Sequence, residues 1–286
     1  MNWRQLDKKE QAEQFRFTLV TFPEAARFIL KNRLWECFWR YGWFSRIFMF
    51  IAILIGISLI SDIFSQLRHL RFESFSQSVS SMGMAVQGIA HSGYELITNS
   101  GSKFFMLVLL EVIVFHASRL TLQIISGKDS KASFDHFLKA QFRMIIVGGY
   151  AWVLTLVFSI PVKIAFGIFE FLDFLKPTAL FLVQAFFMGF SINDNYTEQF
   201  KLEIGQSLNF SYRYPAITLA IGIVVSLLLW VPVAGPIIAP LLAAVTATLV
   251  LYQETPLHIL GPAMIPTKKQ KKKEKKARQQ QEELVP

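Results

Sequence analysis

The feature that most constrains this chain is an uncharged run from 214 to 252, interrupted near its middle by "WVPVAGPIIAP", residues 230 to 240. A run of that length is too long for an ordinary buried helix, and long enough to meet a bilayer, whose hydrocarbon takes about 20 apolar residues to cross. Its halves, 216 to 231 and 236 to 252, are each shorter, reaching about 24 to 26 Å at 1.5 Å per residue. Proline lacks an N–H and clashes with the preceding turn. Pro232, Pro236 and Pro240 are therefore expected to end one helix and start the next, with Gly235 taking positive φ between them. The run reads as a Pro-broken helical hairpin in lipid.

Composition agrees with that setting. Over 286 residues, 53% are apolar and 14% aromatic, with a mean hydropathy of +0.40, values of a polytopic membrane protein rather than a soluble domain. The single cysteine, Cys37, excludes a disulfide framework or a cysteine metal cluster. The first 42 residues hold eight Lys/Arg and five Asp/Glu and no early apolar core, so no cleavable signal peptide is expected.

Six apolar segments follow along the chain: 44–61, 104–125, 144–160, 177–192 and the two halves of the hairpin. Lys/Arg number eight before the first, five from Arg119 to Arg143 and eight from Lys268 to Arg278, whereas 62–102 holds only Arg68 and Arg71. The positive-inside rule then places both termini in the cytoplasm of a multi-pass protein of the cell inner (plasma) membrane, with 62–102 outside and an even number of crossings. Segments three and four repeat the hairpin pattern, because Pro161 is expected to break one and "LDFLKP" (172 to 177) supplies a polar turn before the next. Two readings stand: broken hairpins lining a cavity or a partner surface, or tight loops between six tilted spans. The expected architecture is all-α, with four to six membrane segments including two short Pro-broken helical hairpins. Its parts are a cytoplasmic amphipathic region 1–42, a transmembrane domain 43–252 and a basic disordered tail 253–286.

In the N-terminal region "TFPE" (21 to 24) has the form of a capping box, with Thr21 as N-cap and Glu24 at the third helical position. The helix it would open alternates Ala25, Phe28 and Ile29 with Arg27, Lys31 and Arg33. It is expected to lie at the interface, with its basic side and Trp35, Trp39 and Trp43 at the cytoplasmic headgroups. The tail contributes +5 of the chain's net charge of +9. It lacks aromatic interleaving and any nucleic-acid fold signature, so it reads as a topology-fixing tail and no nucleic-acid partner is expected.

Catalytic patterns are missing: no GxxxxGK[ST], HExxH or GxSxG occurs, and the five histidines share no metal-ligand spacing. "SGKDS" (126 to 130) lacks the upstream glycine of a phosphate loop, and its Gly127 reads as a helix C-cap. No enzyme activity, metal or cofactor is expected. The second segment is unusual for lipid because it carries Glu111, His116, Arg119 and Gln123. At about 100° per residue these fall within an arc of about 140°, and ionisable groups at such depth face a bundle interior or a water path. One reading makes them a permeation or proton-linked face. The other pairs Glu111 and Arg119 with neighbouring helices while Arg119 snorkels to the cytoplasmic surface, as Lys163 would from a hairpin end. In "SINDNYTEQF" (191 to 200), Asn195 with Glu198 three residues on reads as a second capping box.

The order of apolar segment, "NDNY", a short amphipathic stretch to "YRYP", and a hairpin with "VP…GPIIAPLLAAVTAT" resembles the CysZ sulfate-permease family, which shares its domain with the eukaryotic etoposide-induced protein 2.4. The resemblance is clearest over 177 to 252. Asp194 and Tyr196 match the family's Asp-Tyr turn, and Pro232, Pro240, Ala247 and Thr248 its closing hairpin, where Ala239, Ala243 and Ala247 form a small-xxx-small stripe suited to close helix packing. It implies an inner-membrane homo-oligomer with long spanning helices and half-penetrating hairpins that admits sulfate. The chain departs from the family at "RYGWFSR" (40 to 46) and "LQIISGKDSKASF" (122 to 134). The expected function is thus a permease or channel for sulfate or another small inorganic anion. The alternative is a non-transporting integral membrane scaffold or assembly protein.

Overall fold

A computed structural model describes residues 7–34, 114–127, 134–168, 174–229, 231 and 234–265. Every element among them is helical: α1 (Lys8–Asn32), α2 (114–126), α3 (Phe134–Ile168), α4 (Lys176–Gln199), α5 (Ile204–Arg213), α6 (Pro215–Leu228), α7 (Ala234–Glu254), α8 (Leu257–Leu260) and a closing 3₁₀ turn, Gly261–Met264. Trp35, Trp39, Trp43, the first apolar segment, the 62–102 stretch, Glu111, Pro232 and the lysine-rich tail from 266 lie outside the described residues.

α1 begins about four turns earlier than the "TFPE" reading has it. Asp7 is the N-cap, reciprocated by Glu10, whose carboxylate accepts from the Asp7 N–H at 3.2 Å. Thr21 is mid-helix and buried, its hydroxyl donating to the Phe17 carbonyl at 2.8 Å, and Pro23 is accommodated on the exposed side. Both helix-start signals were real residues in the wrong register, because a threonine can satisfy its hydroxyl on the preceding turn without ending the helix. The face of Phe22, Ala25 and Ile29 is buried against α6 and α7, so protein rather than lipid covers it.

The hairpin exists, but its prolines act differently from the expectation. α6 ends at Leu228 and α7 starts at Ala234, and the two helices touch. Pro236 sits in the first turn of α7, where a missing N–H costs nothing, and Pro240 lies inside the helix. Gly235 is helical with ordinary φ. Its role is spatial, since a Cβ there would collide with the Leu228 carbonyl oxygen.

In the other expected hairpin the break at Pro161 is overturned, although its two helices, α3 and α4, do pack together. α3 runs 35 residues straight through Pro161, and its stretch Phe142–Ile168, 27 residues with a mean hydropathy of 2.0, is long and apolar enough to cross a membrane. Only 22% of its apolar window is buried, so it is no core helix of the kind that would mimic a span. Ile146, Trp152, Val157 and Ile164 are among its exposed side chains. Thr155 and Ser159 return their hydroxyls to the carbonyls of Ala151 and Thr155, at 2.8 and 2.6 Å, just before the proline. Among the described helices it is the single one that qualifies alone. α5 and α6 qualify together, bent by 98° at Tyr214 and Pro215.

The core lies between α1, α4, α6 and α7, and α4 against α6 is its most extensive contact. These helices meet backbone to backbone. Ala185 and Gly189 on α4 face Thr218 and Gly222 on α6, and a Cβ on either glycine would strike the opposing carbonyl oxygen. Ala239, Ala243 and Ala247 on α7 are all buried too, at 1% exposure or less. Small residues thus set the spacing throughout the core.

Gly222→Ala is expected to cost on the order of 1–3 kcal/mol, since neither backbone can yield without repacking. Gly149→Ala, at a helix-interior glycine with nothing within 4 Å of its added Cβ, is expected to gain up to about 1 kcal/mol. Thermal melting of the purified variants reads both, and a neutral Gly222→Ala would refute the close crossing.

Candidate functional site

A block of polar residues near the end of α4 is buried. Ser191, Asn193, Asp194, Asn195 and Thr197 are at most 1% exposed. The expectation of a turn here, with Asn195 as an N-cap, is corrected: α4 continues to Gln199, and the Asn195 amide donates back to the Ser191 carbonyl at 3.3 Å. The cap falls later, at Glu203 with Gln206, where α5 begins. α4 itself closes with Lys201 in the left-handed region at φ 59°, the Leu202 N–H reaching the Thr197 carbonyl and the Lys201 N–H that of Glu198.

Each side chain of that block makes a hydrogen bond within the protein, while the amide oxygens of Asn193 and Asn195 accept none, and the central bond comes from α3. Arg143 grips Asp194 with two donors, Nε to Oδ2 at 2.9 Å and Nη2 to Oδ1 at 2.7 Å. Its Nη1 donates to the Leu202 carbonyl at 2.6 Å. One guanidinium therefore ties α3 to the end of α4 and to the chain leaving it. Asn193 donates to the Thr218 hydroxyl at 3.0 Å, and Thr197 to that of Ser207 at 2.7 Å, securing α6 and α5 in turn. The Gln206 amide donates to the Ile265 carbonyl.

Glu198 is the weakly held member of this group. Its Oε2 lies 3.8 Å from Arg143 Nε, beyond hydrogen-bond reach of a guanidinium already committed to Asp194. Burial raises its carboxyl from 4.5 to about 7; Arg143 opposes that shift and the neighbouring Asp194 charge adds to it. Glu198 also lines a cavity of about 380 Å³ with Lys139, Arg143, Lys201 and Glu203.

A second cavity, about 250 Å³, is lined by Arg119, Gln123, Ser126, Gln199, Tyr252 and His258, with Leu122 and Phe200. Gln199 lines both cavities, so they are neighbours across the end of α4. The His258 ring stacks on Tyr252 at 4.3 Å, and its Nδ1 is 3.1 Å from the Thr255 carbonyl; with Nδ1 donating there, Nε2 is the remaining polar ring atom. Among the described residues no carboxylate lines this second cavity. Its cationic and hydrogen-bonding donors suit a small oxyanion.

The residues singled out from sequence divide accordingly. Arg119 and Gln123, one turn apart on α2, come together in the second cavity. His116, 3% exposed, packs edge-on against Phe115 and lines neither cavity. Glu111 and Pro232 are outside the described residues. Asp194 and Tyr196 are wholly buried in α4 rather than in a turn. Pro240 and Ala247 pack within α7, and Thr248 shares a 2.8 Å hydrogen bond with Ser118 of α2. Sequence reasoning missed Arg143, counted as one more cytoplasmic cation, and His258 and Tyr252. An arginine at the edge of an apolar segment and an aspartate at the end of the next were the signal for the first. Among the described residues no three His, Cys, Asp or Glu are grouped to hold a metal. No family model, curated protein or solved structure matches this chain.

Arg143→Ala would strand a fully buried Asp194 and is expected to cost about 3–5 kcal/mol of stability. Arg143→Lys should recover only part of it, because an ammonium cannot span both carboxylate oxygens. Glu198 has the opposite sign from an ordinary paired acid. Its carboxyl is raised on folding, so its contribution is present below about pH 4.5 and falls as pH rises through about 7. The melting temperature of Glu198→Gln should therefore gain on the wild type between pH 5 and pH 8. A constant difference across that range would refute the raised carboxyl.

Proposed function

We propose that this chain is a polytopic α-helical protein of the inner (plasma) membrane that lets a small inorganic anion, sulfate first, pass into the cytoplasm. The observation that carries the reading is the cavity uniting Arg119 and His258 with the donors of Gln123, Ser126 and Tyr252, without a carboxylate among the described lining residues. Such a set can replace part of an oxyanion's hydration shell, and a cavity of about 250 Å³ has room for a small hydrated ion. The membrane setting is supported by the long apolar helix, which packs on α4 along one side and leaves a wide apolar flank exposed. The CysZ-like reading and assembly as a homo-oligomer belong to the same proposal, resting on the quoted sequence likeness. Both termini are cytoplasmic in this reading, from the Lys/Arg distribution.

A second reading is a membrane scaffold that transports nothing. The fully enclosed polar block of α4 favours it, since its recorded bonds hold helices together. The two differ in what the second cavity does.

Sulfate uptake into liposomes carrying the purified protein decides between them. Uptake above empty liposomes, lowered at least tenfold in Arg119→Ala, is the expected outcome. Uptake retained in that variant would move the path away from α2, and no uptake under any imposed gradient would overturn the permease in favour of the scaffold or another solute.

A further inference from the structure

We propose that the outward face of α1 is a docking surface for anionic phospholipid headgroups. This rests on the membrane reading above, but not on transport. α1 is two-sided in an unusual sense: Thr18, Phe22, Ala25 and Ile29 are buried against α6 and α7, yet the opposite side is not simply polar. It exposes Arg16, Arg27 and Lys31 together with three large apolar residues, Leu19 (39%), Val20 (55%) and Leu30 (64%). At about 100° per residue these six fall within an arc of about 120°, and the acidic Glu13 and Glu24 lie at one edge of it.

Isolated exposed leucines need no explanation, and neither does a solvated row of cations. The two interleaved on one face match a headgroup layer. Apolar tips and long arginine and lysine stems reach the glycerol level, while the charged ends meet phosphate. A purely aqueous surface gains nothing from Leu30, and an apolar protein partner gains nothing from Arg16 and Arg27 beside it. The same body carries the exposed apolar flank of α3, which packs on α4, whereas α1 packs on α6 and α7. Charge complementarity then selects anionic over zwitterionic lipid, and the attraction is screened by salt.

The test uses the full chain in detergent micelles. Its melting temperature is followed with added phosphatidylglycerol or phosphatidylcholine, at physiological and at 1 M salt. A lipid that binds the folded state raises the melting temperature. Phosphatidylglycerol is expected to raise it by several degrees more than phosphatidylcholine, and 1 M salt to erase the difference. Arg16→Gln/Arg27→Gln/Lys31→Gln should lose the difference while melting normally without lipid, because all three side chains are exposed. Equal shifts with the two lipids would overturn the proposal. So would a full phosphatidylglycerol shift in the triple variant, which would move the contact to the lysine-rich tail, or the same shift from inorganic phosphate, which would mark a free-anion site. A chain that stays dispersed without detergent would instead sink the membrane reading itself.

Discussion

The contact on which the rest of the structure depends is the crossing of α4 and α6, where Gly189 and Gly222 let the two backbones touch. On the membrane reading there is little hydrophobic drive between helices, so association comes from close packing and from weak Cα–H···O contacts that only small residues permit. That crossing fixes the register of everything attached to either helix. It sets Asn193 opposite Thr218, at 3.0 Å, one turn along from the glycines. It also brings the polar end of α4 over α5, where Thr197 meets Ser207. The enclosed polar block is tolerable because its geometry is imposed from the crossing outward.

Arg143 completes what the glycines begin. A carboxylate with no exposure would be untenable alone, and a single guanidinium satisfies it in bidentate fashion while using its third donor on Leu202. The same commitment leaves Glu198 with a distant partner, so one arginine makes one neighbouring acid secure and the other labile. The first cavity inherits that asymmetry: its lining mixes cations with two carboxylates, one capping a helix and one half-held. The second, across Gln199, has Arg119 as a fixed donor among described polar groups that otherwise both donate and accept. The two cavities thus differ in make-up within a short distance of one helix end, mixed charges in the first and an arginine among neutral polar groups in the second.

Helix type and the apolar hairpin were legible in the sequence, because length, hydropathy and missing charge act at every residue of a long run. Proline positions were not, since Pro23, Pro161 and Pro240 all sit inside helices. The rule that proline ends a helix assumes a free choice of conformation; a helix packed or apolar along its length bears one lost hydrogen bond more cheaply than an exposed break. Capping boxes misled for a related reason. Thr21 and Asn195 have the right residues at the right spacing, yet both return their side chains to the turn before. Arg119 and Gln123 were findable from their shared helix face. Arg143 with Asp194 was signalled only in part: each charge sits at the edge of an apolar segment, but nothing in a single sequence reports that the two meet. The glycine crossing was readable in principle as paired small-xxx-small spacings, Ala185 with Gly189 and Thr218 with Gly222, but the alanine stripe of α7 drew attention first.

The span of sequence between the two halves of the buried ion pair has a consequence for biosynthesis. Arg143 leaves the ribosome 51 residues before Asp194, so α3 is complete while its arginine still lacks a counter-charge. On the membrane reading, a lone α3 entering the bilayer would hold that cation near the aqueous boundary until α4 arrives. The natural unit of insertion is then the α3–α4 pair. A ribosome stalled between residues 168 and 194 would leave an intermediate that quality control can recognise by its unmatched arginine.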